Sequence, residues 1–569
     1  MFRGILACLL AISTQAHGAT NKRMFDVRVP MRDSVELATD IWVPSPAGRH
    51  PLILMRTPYG KVSQRATDYA RYFVGHGYAF AVQDVRGRGA SEGDFDFLSQ
   101  EGDDGFDAIE WLARQPWSNG RICLMGSSYG AGIQWQAAKK RPPHLVCIAP
   151  VAAPGDVQNE VPYIGGAFRE EWALDWLAYS TTRVAKLTTE DWLDVQAHRP
   201  LITNDEVMGH RERLYREWLE HPLPGAYWNR MTLSDADFAM IDLPVLTITG
   251  WFDSQLSGAL YGWKGMERAG GKKNQYLVIG PWTHGQTSAG GGESLGNLQF
   301  SADSIIDPLA LQRAFFDEYL LERQGSFAQP KVRIYIPGRN AWQESDAYRE
   351  GTPTSFFLYS QGDANTIGGG GTLREDAPGG ADDRFTFDPQ HPVPLSTSLN
   401  GGTHGASYGM DRRAIEARKD ILVYSSARLS APMEVLGTGR VDLYAASDGR
   451  DTDFTASIID VYPDGRAVLI GSKLTGIQRA RYRNHLDHQQ LLTPGKVEKY
   501  AIDLGPIGYS FGAGHRIRIE ISSSAAPRYN PNPNTGDPIA TDTEWRIAKQ
   551  IVRHNRRYPS ALVLPIVKP

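Results

Sequence analysis

Residues 126–130 read Gly-Ser-Ser-Tyr-Gly and follow the apolar run Ile122-Cys123-Leu124-Met125. A serine in a G-x-S-x-G turn between a strand and a helix is lifted clear of its sheet, and the strained turn demands small flanking residues. The run Gly130–Ala138 that follows is compatible with a helix. A free serine hydroxyl is a weak nucleophile at neutral pH, so Ser128 needs a histidine and an acid further along the chain. On an α/β sheet these follow in the order serine, acid, histidine, each just past the carboxyl end of a strand. Asp253 follows the strand-like run ending at Thr249, and His284 follows the next one, Tyr276–Gly280. Asp242 precedes its strand and would sit at the wrong edge. The other histidines lie before strands, in the helical region or in the later β region. The chemistry expected of Ser128, Asp253 and His284 is acyl transfer. His284 takes the serine proton, Asp253 orients the imidazole, and water resolves the acyl-enzyme.

A tetrahedral intermediate also needs donors for its oxyanion. One is expected from the backbone N–H of Tyr129, the residue after the nucleophile. The other should come from the loop after an early strand, here Arg56-Thr57-Pro58-Tyr59-Gly60-Lys61. That loop has no HGGG-type run, and the Tyr59 hydroxyl is the candidate. Trp251, Phe252 and Trp282 beside the acid and histidine suggest an apolar or aromatic acyl pocket, with Glu160 as a candidate carboxylate in it.

The elements that must hold these residues follow from periodicity. Strand-like runs at Phe25–Val29, Ile41–Val43, Leu52–Met55, Ala79–Val82, Ile122–Met125 and Leu145–Ala149 alternate with helical stretches such as Ser63–Val74 and Asp103–Arg114. This alternation predicts a mostly parallel sheet covered on both faces. From about Gly155 to Met240 the strand signals stop, and five tryptophans punctuate helix-like segments, as in a cap inserted over a sheet edge. Past Gln329 short β runs and turn signals such as Pro463-Asp464-Gly465 predict a β-sandwich or jelly roll.

The 569 residues are too many for one core. The expected division is a leader over 1–19, an α/β-hydrolase core over 20–154 and 241–345, a helical cap over 155–240, and a β jelly roll over 346–569. Met1-Phe2-Arg3, the apolar run Ile5–Ile12 and the small residues around Ala16 predict a secretory signal and a periplasmic or secreted protein with no membrane anchor. A net charge of −4 offers no basic field for nucleic acid. Of three cysteines, Cys123 and Cys147 remain after cleavage, and both fall in buried runs read as free thiols. No zinc spacing or calcium loop is present, so neither metal nor other cofactor is expected. A homo-oligomer is allowed.

Taken together, Arg56–Gly60, Asp84-Val85-Arg86-Gly87-Arg88-Gly89, Gly126–Gly130, Gly250–Asp253 and Gly280–His284 resemble the cocaine esterase family, also described as X-Pro dipeptidyl-peptidase-like or peptidase S15 hydrolases. Arg440–Leu443, Asp451–Phe454 and Val461–Arg466 resemble its C-terminal jelly roll. The likeness runs from about Arg23 to near the end of the chain. It implies the three-part architecture, the triad on Ser128, Asp253 and His284, and the tyrosine oxyanion donor on Tyr59. Arg86 and Arg88 read as structural.

The resemblance implies a small-molecule ester or amide as substrate. In the amino acid ester hydrolase branch, acids follow the triad aspartate at two and three positions. Here Gln255 and Leu256 stand there, leaving Glu160, Glu170, Glu171 and Asp175 as substitutes. The first reading is therefore an esterase or acylase for a small apolar or aromatic acyl group. The second is an α-amino acid ester hydrolase or X-Pro dipeptidyl-peptidase-like aminopeptidase. A third, of another class, is a carbohydrate-binding protein acting through the β domain.

Overall fold

A computed structural model describes residues 22–44, 48–180, 187, 189–271, 274–365, 370–395 and 408–568. The leader expected over 1–19 lies outside them. Ten strands form the first sheet among the described residues: β1 (Lys22–Pro30), β2 (Glu36–Val43), β3 (His50–Thr57), β4 (Ala79–Asp84), β5 (Ser118–Ser127), β6 (Leu145–Val151), β7 (Val245–Phe252), β8 (Gln275–Thr283), β9 (Val332–Ile336) and β10 (Ala341–Ser345). Their spatial order is β1-β2-β4-β3-β5-β6-β7-β8-β9-β10. From β4 to β9 all neighbours are parallel, and antiparallel pairs close both edges.

Side chains alternate across a strand, so a sheet covered on both faces needs near-continuous apolar runs. Leu52, Leu54, Ile122 and Leu124 enter one core with the helices Glu101–Ala113 and Tyr129–Lys139. Ile53, Met55, Cys123 and Met125 enter the other, with Phe73 of the helix Gln64–Gly75 and Phe315 and Phe316 of the helix Pro308–Tyr319.

On this second face Cys123 lies directly opposite Cys147 in the parallel β5–β6 register, with Cα atoms 4.8 Å apart, and the two form a disulfide. The expectation of two free thiols is corrected. Each cysteine reads as an isolated buried residue, and only the strand pairing brings them together. Closing a loop between residues 24 apart contributes on the order of 3 kcal/mol. A chain trimmed of residues 1–19, and so of Cys8, should titrate no thiol with Ellman's reagent when unfolded without reductant and two after reduction. Two thiols before reduction would refute the bridge.

Between β6 and β7 the chain forms the cap. It begins with a two-residue-stranded hairpin, Tyr163–Ile164 with Ala167–Phe168, where sequence suggested no strands. Helices Glu170–Ser180, Thr189–Ala197 and Arg213–Glu220 follow. Trp172, Trp192, Trp218 and Trp228 are buried here and pack on Phe95, Phe97 and Tyr129. After Ser345 a second network of thirteen described strands builds a β-rich domain. It is not a detached module. Trp251, at the end of β7, sits in its core, and a Cβ on Gly508 would come within 2.2 Å of that indole. The Asp84–Gly89 motif is structural. Arg86 pairs with Asp104 at 2.6 Å and Asp33 at 2.8 Å, and Arg88 lies over the Phe95 ring.

Candidate active site

Ser128 joins β5 to the helix Tyr129–Lys139 with φ 59° and ψ −124°. A non-glycine residue in that region is strained and must be held by its surroundings. Its N–H donates to the Val151 carbonyl at 2.9 Å. Contact excludes a side chain at Gly126 and leaves little room for one at Gly130. A Cβ at Gly126 would lie 2.9 Å from the Gly130 carbonyl oxygen, and one at Gly130 would lie 3.2 Å from that of Arg56.

Asp253 lies one residue past β7, and His284 follows β8 directly and starts the short helix His284–Ala289. The structure brings these two together: His284 Nδ1 lies 2.8 Å from Asp253 Oδ1. The aspartate is buried, while the histidine side chain keeps 31 % of its surface open. The Gln255 N–H donates to Asp253 Oδ1 at 2.8 Å, and the Thr287 hydroxyl lies 3.1 Å from Oδ2 and 2.8 Å from the Thr283 carbonyl, sharing its one proton between the two acceptors. Thr287 was not singled out from sequence. Its position three residues past His284 on one helix face is the signal that could have found it. Burial lowers the His284 pKa, but the charge and hydrogen bond of Asp253 outweigh it, and the net value lies above the ordinary 6.5.

Tyr59 lies two residues past β3, beside the elbow. Burial pushes its phenol above the usual tyrosine range, against hydrogen bonds with the Trp176 indole, the Ser128 hydroxyl and the Tyr129 N–H. The phenol therefore keeps its proton at neutral pH. Trp176 Nε1 donates to the Tyr59 oxygen at 3.2 Å, which leaves the Tyr59 proton to be donated elsewhere. Among the cap tryptophans, Trp176 is thus one that does more than pack. The Tyr129 hydroxyl donates to Glu101 at 2.7 Å, and Glu101 pairs with Arg56 at 2.8 Å. One buried network so ties Tyr129 to the loop that carries Tyr59. Tyr59→Phe is expected to lower kcat by about 10²–10³-fold with little change in KM, as for loss of one oxyanion donor. Trp176→Phe should cost less, about 10-fold, because the donor remains but is no longer aimed. Steady-state kinetics on a p-nitrophenyl ester checks both.

The pocket residues expected from sequence are not in a pocket. Trp251, Phe252 and Trp282 are each at most 2 % exposed. Trp251 Nε1 donates to the Tyr335 carbonyl and Trp282 Nε1 to that of Ser304, while Phe252 packs on Phe300 and Tyr408. Glu160 is buried and pushed up to about 8 by that burial. Its oxygens accept the N–H groups of Gly155 at 2.9 Å and Gly258 at 2.6 Å, so it pins the start of the cap to the helix Leu256–Arg268. Among the described residues no cluster of His, Cys, Asp or Glu could hold a metal ion, and no helix is long and apolar enough to cross a membrane.

Residues 33–286 match the X-Pro dipeptidyl-peptidase (S15 family) profile, and residues 325–563 match the X-Pro dipeptidyl-peptidase C-terminal non-catalytic domain. Cocaine esterase from Rhodococcus sp. (strain MB1 Bresler) is 33 % identical over 95 % of this chain and 98 % of its own. An aminopeptidase from a marine sediment Thaumarchaeota archaeon superposes with a TM-score of 0.85 at 26 % identity, covering 99 % of both chains. An α-amino acid ester hydrolase gives the same TM-score and identity over 98 % of this chain and 99 % of its own. A CocE/NonD family hydrolase from Staphylococcus aureus shares the fold at TM-score 0.72, 19 % identity, and 96 % and 94 % coverage. The chain is a serine hydrolase of the α/β-hydrolase fold, and it belongs to the cocaine esterase family of S15-type hydrolases.

Proposed function

We propose that the chain is an exported esterase or acylase that cleaves a small apolar or aromatic acyl group through an acyl-enzyme on Ser128, with His284 as base, Asp253 as its partner, and Tyr59 and the Tyr129 N–H as oxyanion donors. The observation that carries this reading is the 2.8 Å Asp253–His284 contact at the sheet edge that also bears the strained Ser128 turn. Aromatic side chains crowd that edge: the Tyr59 ring meets Trp176 at 6.5 Å and Tyr179 at 5.5 Å. Export is supported by the Cys123–Cys147 disulfide, which suits an oxidising compartment, and by the apolar run Ile5–Ile12.

The aminopeptidase and the α-amino acid ester hydrolase among the superposed structures favour a second reading, recognition of a free α-amino group. Against it, Gln255 and Leu256 bring no charge. Glu160 is engaged by two backbone N–H groups, and Glu170 by the side-chain amides of Asn204 and Asn530. The test compares phenylglycine methyl ester with methyl phenylacetate, with Ser128→Ala as control. The first reading expects kcat/KM for the deaminated ester to equal or exceed that for the amino ester. A preference of 100-fold or more for the amino ester would replace it with the second.

A further inference from the structure

Gln134 stands on the helix Tyr129–Lys139, in the second turn after Ser128, and only 1 % of it is exposed. Around it the helix buries Ala131, Ile133, Trp135, Ala137 and Ala138. An amide in such surroundings costs free energy unless its hydrogen-bonding groups are met. They are met here. Gln134 Nε2 donates to the Gly126 carbonyl at 3.2 Å and to the Gly130 carbonyl at 3.0 Å, one N–H for each. Its Oε1 accepts the Ala149 N–H at 3.0 Å. Packing alone would be served by a leucine or methionine of similar volume.

The three partners all belong to the frame of the nucleophile. Gly126 and Gly130 are the first and last residues of the Gly-Ser-Ser-Tyr-Gly turn, with Ser128 midway between them. Ala149 lies on β6, two residues before Val151, whose carbonyl accepts the Ser128 N–H at 2.9 Å. The Cys123–Cys147 bridge ties β6 in turn to β5. One side chain therefore joins the end of β5, the first turn of the helix and the neighbouring strand. Ser128 holds φ 59° between these anchors. A strained conformation of this kind persists only where its surroundings over-determine it.

We infer that Gln134 is a positioning residue for the reaction: by clamping both glycine carbonyls of the elbow to β6, it sets where the Ser128 hydroxyl meets His284 and where the Tyr129 N–H meets the oxyanion. Gln134 itself touches no reacting atom. The inference rests on the reading of Ser128 as the nucleophile. Without the clamp the two carbonyls each lose a donor, and the turn between them is free to relax. A displacement of about 1 Å in a reacting group costs on the order of 10²-fold in rate. The loss falls on kcat, because no surface that binds substrate is altered.

The test compares two substitutions on one helix. Gln134→Met keeps the volume and removes all three hydrogen bonds. Gln136→Met is the control: Gln136 is 2 % exposed and donates to the Met231 carbonyl at 2.5 Å, away from the elbow. Each variant loses a buried amide, so both should melt earlier than the parent. The rate at which a fluorophosphonate labels Ser128, followed well below each melting temperature, needs no knowledge of the substrate. Gln134→Met is expected to label about 10–100-fold more slowly than the parent, and to lose a similar factor in kcat on a p-nitrophenyl ester with KM within about twofold. Gln136→Met should label within about twofold of the parent. Gln134→Leu serves as a second variant if the first does not fold. Labelling of the Gln134 variant at the parent rate overturns the clamp. Equal slowing in Gln136→Met overturns it too, since the loss would then come from a loosened helix. A parent chain that does not label removes Ser128 from the mechanism, and this proposal with it.

Discussion

Ser128→Ala is expected to lower kcat by about 10⁶-fold while leaving thermal stability unchanged or slightly improved. The magnitude follows from the way a triad works: its members act as one unit, so removing the nucleophile removes nearly all of its contribution. What remains is the effect of the oxyanion donors and of binding, about 10³–10⁴-fold over water. The stability side follows from the backbone. Ser128 sits at φ 59°, a conformation that costs a non-glycine residue free energy whichever small side chain it bears. Alanine does not relieve that strain, but the Ser128 hydroxyl is not part of the fold's hydrogen-bonded frame. The frame is made by the Ser128 N–H to the Val151 carbonyl, and by its own carbonyl accepting from Ala131 and Gly132. A melting curve and kcat on a p-nitrophenyl ester check both halves. A variant that keeps more than about 1 % of the parent rate, after contaminating parent enzyme is excluded, would place the nucleophile elsewhere. A fluorophosphonate probe should label the parent chain at Ser128 and leave the variant unlabelled.

The elbow and the two strand-end residues were readable in sequence because each couples a local pattern to a position. An apolar run fixes where a strand ends, and the residue just past it faces the open edge of the sheet. The order of the strands in space was not readable from such runs, which carry no information about neighbours. That is why the Cys123–Cys147 bridge was missed: it depends on β5 lying next to β6 in one register. The tryptophans beside Asp253 and His284 misled for a related reason. Alternation says that Trp251 and Asp253 share a direction near the strand end, but not what covers that side. The β-rich domain covers it, and Gly508 makes room for the Trp251 indole. Similarly, a Cβ on Gly280 would lie 2.1 Å from the Trp282 ring, so the glycine before it is there to let the indole fold back over the strand. Both glycine–tryptophan motifs are packing devices next to the site. Trp176 and Glu101 lie 48 residues after and 27 residues before Ser128. Nothing local marks the first as a partner of Tyr59 or the second as a partner of Tyr129, because only the cap and the core helix meeting over the elbow create those contacts.

Asp253→Asn is expected to lower kcat/KM by about 10⁴-fold and to shift the pH dependence of what remains to lower pH. The rate effect comes from the imidazole. In the parent, Asp253 Oδ1 lies 2.8 Å from His284 Nδ1 and holds the tautomer with its proton on that nitrogen, leaving Nε2 free to act as base. An asparagine amide can turn its NH₂ toward the ring and favour the opposite tautomer. With its NH₂ at the Oδ1 site the amide also faces the Gln255 N–H, donor against donor, and with its NH₂ at the Oδ2 site it faces the Thr287 hydroxyl, so neither orientation reproduces the contacts of the aspartate. The pH effect has a definite sign. His284 must be neutral to accept the serine proton, so kcat/KM rises with pH through the histidine pKa. In the parent, burial lowers that pKa, but the Asp253 charge and hydrogen bond raise it further, and the acid limb lies above the ordinary 6.5. Asparagine removes both raising contributions and leaves burial, so the limb of the variant moves below 6.5. Asp253→Glu keeps the charge but lengthens the side chain, and should retain a limb above 6.5 at a reduced rate. A pH profile of kcat/KM on the three proteins separates these cases. A limb that stays in place when the charge is removed would show that another group controls the base.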